Sequence, residues 1–229
     1  VMHTPYRVVV ITLDAHAAGP AAQVTQRVAA DLPGLRVDVY AAAEWAGNPG
    51  ALDLAKDAIR QADIVIANLL FLEEHINAIL PELQARRDHC DAMIGIIADP
   101  AIVKQMRMLR RLPKILKWIP GKAQDLRAWF LTMQYWLGGS DENMERMVRF
   151  LVSRYSTRAD WQGGPAELPV EYPEVGVYHP LLPGRIGTDA RALPVPEVVS
   201  GTVGLLLLRS YVLSGDTAHY DAVFRAFEA

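Results

Sequence analysis

The chain has 229 residues, 51% hydrophobic, 21% charged and 8% aromatic, with a mean hydropathy of +0.10 and a formal net charge of −3. That composition excludes a disordered tail, a collagen-like repeat and a disulfide scaffold, and the chain is long enough to bury a core without staples. The acidic balance gives no electrostatic case for nucleic acid, and no apolar run reaches the roughly 18–20 residues of a membrane-spanning helix.

Tyr6–Leu13 (YRVVVITL) is a β-branched run suited to a strand covered on both faces. Pro20–Leu32 reads as a helix closed by Pro33-Gly34, Leu35–Tyr40 as a second strand and Pro49–Ala62 as a second helix. Asp63–Leu70 is a third strand, and Glu73–Arg86 is helical, with Pro81 either breaking it or opening a second segment. Ala92–Ala98 gives a fourth strand before Asp99-Pro100 opens another helix. Strands alternating with helices imply parallel pairing with right-handed crossovers. The expected fold class is therefore α/β, a doubly wound, mostly parallel sheet.

From 101 to 155 the pattern turns helical. Leu126, Trp129, Phe130, Met133, Trp136 and Leu137 share a helical stripe that is expected to be buried. Gly138-Gly139 stops that helix and Ser140 caps the next, which carries Met144, Met147, Val148, Leu151, Val152 and Tyr155 at the same spacing. An antiparallel helical hairpin follows. Seven of the fifteen prolines then fall between Asp160 and Pro196, marking an extended connector, with Tyr172, Val175, Val177, Tyr178 and His179 positioned to pin it against a surface. Thr202–Arg209 (TVGLLLLR) reads as a new strand and Thr217 onward as a helix, the start of a second α/β unit. The expected organisation is 1–155 as an α/β plus helical domain, 156–200 as a Pro/Gly-rich connector and 201–229 as the beginning of a further domain. His219–Ala229 has no cap or tail, so an excerpt of a longer protein is expected. The N-terminus does not read as a signal peptide, and the single cysteine, Cys90, fits a reducing cytoplasm.

Ligands of doubly wound sheets bind beyond the carboxyl ends of the strands. Asp14 and His16 stand there after the first strand, Glu73, Glu74 and His75 after the third, and Asp99 after the fourth. If the third strand neighbours the first, these groups converge as an acidic, His-containing rim whose carboxylates and imidazole are suited to act as proton acceptors or metal ligands. Asp14, His16, Glu73, Glu74 and His75 are the candidates for substrate binding. The competing reading makes Asp14 and Asp99 cap residues and lets Glu73 and Glu74 complement a helix dipole. No G-x-G-x-x-G, phosphate loop, H-E-x-x-H, paired C-x-x-C or G-x-S-x-G is present, which argues against a self-contained NTPase, dinucleotide dehydrogenase, zinc hydrolase or serine hydrolase, and no metal site is expected. Lys104–Arg127 holds eight cations against Asp125, a net of +7 that leaves −10 for the rest of the chain. Arg110, Arg111, Lys114 and Lys117 in that stretch are candidates to meet a partner or an anionic group, and membrane contact through it would be peripheral at most.

Four stretches carry a family resemblance: VVVITLDAHAAGPAAQV; LLFLEEHI with LPELQARRDHCDAMIG; LRRLPKILKWIPGKAQDLRAWFLTMQYWLGGSDENMERMVRFLVSRY; and PVEYPEVGVYHPLLP through GLLLLRSYVLSGDTAHYDAVFRAFEA. Together they resemble the N-terminal part of the large, porphyrin-binding subunit of magnesium chelatases, in the bacteriochlorophyll-pathway form. The resemblance implies an enzyme subunit that takes protoporphyrin IX and Mg2+ as substrates, works with two ATP-hydrolysing partner subunits, and leaves ATP to those partners. It carries no catalytic residue into this stretch, so the fragment alone is expected to be inactive. It also implies that Arg110, Arg111, Lys114 and Lys117 face either porphyrin propionates or a partner. A cobaltochelatase-like large subunit is the alternative, although it matches residues 1–155 less well. A non-catalytic porphyrin-binding or assembly module is another.

Overall fold

The computed structural model describes residues 5–13, 17–106, 121–157, 167–194 and 201–228. Four parallel strands, β1 (Tyr6–Thr12), β2 (Leu35–Ala41), β3 (Ile64–Asn68) and β4 (Ala92–Ile96), lie in the order β2-β1-β3-β4. Val10 sits opposite Val39 on one side and Ile66 on the other. β1 is thus central, and the chain reverses its direction of winding between β1 and β3.

The β-branched runs make this sheet because it is covered on both faces. Successive side chains alternate between faces, so Val8, Val10, Ile64, Ile66, Ile94 and Ile96 enter one core and Val9, Ile11, Val65, Ala67 and Met93 the other. The first core is closed by α1 (Ala18–Arg27), α5 (Gly121–Gly138) and α6 (Asp141–Tyr155). The second is closed by α2 (Pro49–Gln61), α3 (Glu73–Arg86) and the single turn α4 (Pro100–Val103). Helices on both faces complete the expected doubly wound α/β fold.

Pro81 does not break α3, which runs unbroken through it. The helix is anchored on either side of the proline by buried Ile76, Ile79 and Leu83, and by Arg86 Nε donating to the Ala62 carbonyl at 2.8 Å. The stripe expected to be buried on α5 is rotated partway: Trp129, Met133 and Trp136 pack against the core, Leu126, Phe130 and Leu137 are exposed, and Ala128, Thr132 and Tyr135 face inward. Two small side chains allow close approach to the sheet, and Trp129 Nε1 donates to the Gly95 carbonyl of β4 at 2.7 Å. On α6 the expected face is the buried one, and Ser140 caps it by accepting from the Asn143 N–H at 3.1 Å.

The connector is strapped to this hairpin. Asn143, fully buried, donates from Nδ2 to the Val170 carbonyl (2.9 Å) and accepts the Val170 N–H at Oδ1 (2.7 Å). Tyr135 Oη donates to the Glu167 carbonyl at 2.5 Å, and Arg146 reaches the Leu168 carbonyl. Further on, the connector forms a short antiparallel pair, β5 (Val177–Tyr178) with β6 (Ile186–Gly187), where only an extended chain was expected.

The expected strand over Thr202–Arg209 does not form. Residues 201–208 pair with no strand among the described residues, and α7 (Arg209–Leu213) begins at Arg209, followed by α8 (Ala218–Glu228). Its apolar composition suits a strand, but a strand needs a neighbour to take its backbone hydrogen bonds. Leu206 is fully exposed instead.

Candidate functional site

The carboxyl edge of the sheet is where the elements place their polar residues. β1 ends at Thr12 and β3 at Asn68, whose Nδ2 donates to Thr12 Oγ1 at 3.3 Å while its Oδ1 is buried without a hydrogen-bond partner among the described residues. Immediately beyond, Leu69 (φ +53°) and Ile97 (φ +48°) both occupy the left-handed region, although neither is glycine. Such a conformation is costly, most of all for a β-branched residue, and needs surrounding contacts to hold it. Those contacts are the Leu69 N–H to the Ile96 carbonyl (3.3 Å) and the Asp99 N–H to the Leu70 carbonyl (2.9 Å). The turn buries Leu70 and leaves Phe71 and Leu72 about half exposed.

Glu73, Glu74 and His75 follow in the first turn of α3. Glu73 and Glu74 are exposed at its positive end, where carboxylates offset the helix dipole. His75 is buried, with Nε2 3.7 Å from Glu74 Oε1 and its ring edge-on to Trp45 at a centroid distance of 5.6 Å. His75 Nδ1 and Trp45 Nε1 are buried without hydrogen-bond partners among the described residues. Asp99 is a cap, its Oδ1 accepting the Ala101 N–H at 2.7 Å. The structure therefore groups Glu73, Glu74 and His75 and gives Asp99 a local task. Asp14 and His16, and Arg110, Arg111, Lys114 and Lys117, lie outside the described residues. No group of three or more His, Cys, Asp or Glu residues able to hold a metal ion occurs among the described residues.

Beside this turn is a cleft of about 510 Å³ that no sequence motif marks. Tyr40 from β2, Glu44 and Trp45 from the 3-10 turn Ala42–Glu44 and its end, and Asn48 and Leu54 around the start of α2 line it. The local signal is Asn48-Pro49-Gly50: an Asn cap, accepting the Ala51 N–H, followed by proline in the first turn places a helix start directly after an acidic-aromatic pair. Burial, reinforced by Asp38, holds the Tyr40 phenol above its ordinary range, so it remains a neutral donor.

A second polar cluster joins the connector to α8. Tyr178 Oη donates to Asp221 Oδ1 at 2.5 Å, Arg185 pairs with Asp221, and Arg185 Nη1 donates to Thr217 Oγ1 at 2.8 Å. His179 Nδ1 accepts the Leu181 N–H, so Nε2 carries the ring proton and meets Glu228 Oε1 at 2.8 Å. Asp221, Phe224 and Glu228 lie on one face of α8 and receive Tyr178 and His179 together. This cluster is a clamp rather than an open site.

A doubly wound domain with a helical hairpin and a clamped C-terminal unit has a counterpart among solved structures. The catalytic subunit of cobaltochelatase from Mycobacterium tuberculosis superposes with a TM-score of 0.52 at 14% identity, covering 97% of this chain and 15% of that one, a likeness of fold. The family model described as a domain of unknown function (DUF3479) matches residues 7–108 and 100–130, and the one described as CobN/Magnesium Chelatase matches residues 133–229. The H-type subunit of magnesium chelatase from Cereibacter sphaeroides is 56% identical over 97% of this chain and 22% of its own length. That from Rhodobacter capsulatus is 52% identical over 99% and 22%. The chloroplastic ChlH protein of magnesium chelatase from Oryza sativa subsp. indica is 24% identical over 75% of this chain and 16% of its own length. The chain belongs to the family of H-type magnesium-chelatase subunits, and it spans about a fifth of the length of the curated relatives it matches.

Proposed function

We propose that this chain is the N-terminal part of a magnesium-chelatase large subunit of the bacteriochlorophyll pathway, in which the complete subunit binds protoporphyrin IX and receives Mg2+. The observation that carries this reading is 56% identity to an H-type magnesium-chelatase subunit over nearly the whole chain. Residues 1–155 form its α/β and helical domain, 156–200 its connector, and 201–229 the opening of the domain in which metal insertion takes place. Two ATP-hydrolysing subunits are its partners, and the setting is the cytoplasm. No helix among the described residues is long and apolar enough to cross a membrane.

Inserting Mg2+ requires removing two pyrrole protons and stripping waters from a cation that releases them reluctantly. An enclosed, carboxylate- or imidazole-lined cavity suits that task. The cleft beside Trp45 offers Glu44 as its one carboxylate among the described lining residues, which supports placing the chemistry in the remainder of the protein. Glu73, Glu74 and His75, with Asp14 and His16 after the first strand, serve as polar contacts for substrate or partner. Arg110, Arg111, Lys114 and Lys117 supply cationic contacts to propionates or a partner.

The test is formation of magnesium protoporphyrin, followed by fluorescence, with Mg2+, ATP and the two partner subunits. A longer protein carrying this segment is expected to be active and the 229-residue chain inactive. Metal insertion by the 229-residue chain would overturn the placement of the chemistry, and an inactive complete protein would overturn the family function.

A further inference from the structure

Three features of the carboxyl edge coincide on the α2–α3 side. The cleft of about 510 Å³ has apolar and aromatic walls (Tyr40, Trp45, Leu54) and a carboxylate, Glu44, as its charged group among the described lining residues. Trp45, only 7% exposed, lines the cleft and meets His75 of α3 edge-on at 5.6 Å, so the cleft and the first turn of α3 lie on either side of one buried ring. There Phe71 (54% exposed) and Leu72 (52%) stand beside exposed Glu73 and Glu74, held outward by the left-handed turn at Leu69. Leu54, 63% exposed, extends the apolar surface along α2. α2 and α3 pack side by side on the same face of the sheet, and Arg60 pairs with Glu82 at 2.7 Å toward their far ends. Glu44 and Glu73 have no ion-pair partner among the described residues.

We propose that this edge docks a basic, leucine-rich segment of a partner protein, with one arginine or lysine side chain seated in the cleft. Long cationic side chains bury their aliphatic stems against apolar and aromatic walls while the charged head meets a carboxylate. Glu44 supplies that carboxylate. Glu73 and Glu74 meet further cations, and Leu54, Phe71 and Leu72 receive the apolar residues between them. An anionic ligand is disfavoured by the same three carboxylates, and Asn48 already occupies the open end of α2.

Binding of a fluorescein-labelled 12-residue peptide of repeating Leu-Arg-Arg-Leu to the 229-residue chain, read by anisotropy, tests this. Glu44→Gln is expected to weaken binding about fivefold, and Glu44, Glu73 and Glu74 all replaced by Gln about thirtyfold or more. Leu54→Ala with Phe71→Ala removes exposed groups and leaves the fold intact. That pair is expected to cost about fivefold and to do so equally at high salt, because an apolar contact is not screened. Gln at Glu171 and Glu174, exposed carboxylates on the connector, is expected to leave binding unchanged. The proposal is overturned if the Glu171 and Glu174 variant loses as much affinity as the triple variant. It is equally overturned if a Leu-Glu-Glu-Leu peptide or inorganic phosphate binds the cleft in place of the basic peptide.

Discussion

Asn143 holds the connector by both backbone groups of Val170, and it does so from a fully buried position. Replacing it with alanine removes two hydrogen bonds and leaves Val170 unpaired, at a cost of about 1–3 kcal/mol. Thermal unfolding of Asn143→Ala is expected to show that loss, together with faster proteolysis within 167–173. Gly138→Ala should cost a similar amount by the same route, because a Cβ at 138 would stand 2.1 Å from Asn143 Nδ2. Since both changes break one contact, the double variant is expected to lose much less than the two single losses added. Tyr155 gives a pH signature. Its phenol is pushed up to about 12 from an ordinary value of 10.0, chiefly by burial. The raised value favours the neutral form in the fold, so this contribution is complete below pH 10 and is lost as pH rises toward 12. The urea midpoint should therefore fall between about pH 9.5 and 11.5, and Tyr155→Phe should flatten part of the fall. Tyr6, also raised by burial and by Asp91, leaves a residual slope.

At the scale of elements, α3 shows a helix retained against its own propensity. An interior proline costs about 3 kcal/mol, part of it offset because proline also restricts the unfolded chain. Pro81→Ala is expected to raise stability by about 1–2 kcal/mol in urea titration without moving the helix, since Ile76, Ile79 and Leu83 hold it in place. Strands β1, β3 and β4 were legible because runs such as VVVIT, IVIA and AMIGI carry no polar face, which suits a sheet covered on both sides, and the edge strand β2 because LRVDVYA alternates. The rotation of α5 was not legible. Its large residues make a plausible stripe, yet the small ones, Ala128 and Thr132, decide how closely it approaches the sheet. The site was half legible. Position after a strand pointed to Glu73, Glu74 and His75, whereas the Tyr40–Trp45–Leu54 cleft arises from residues of three elements with no shared motif.

On the scale of the whole molecule, the two ends of the described chain differ in how far they are satisfied. The sheet domain is covered on both faces. The C-terminal unit is clamped to the connector by Tyr178, His179 and Arg185 but leaves Val203, Leu205, Leu206 and Leu208 exposed, along with Val223 and Phe227 of α8. On the proposed domain division, residues 203–208 gain a neighbouring strand in the complete protein. Their amides are expected to exchange with deuterium within seconds in the 229-residue chain and to become protected in the longer protein. Equal exchange in both would count against that division.

The pair Gly138 and Asn143 also bears on how this family can vary. A side chain at the first position and an amide reaching Val170 from the second exclude one another sterically. Among homologues the two sites should change together or not at all: one that gains a side chain at 138 must give up the amide at 143 and tie down its connector by other means. A single hydrogen atom at the end of one helix thus limits which ancestral routes lead into and out of this architecture.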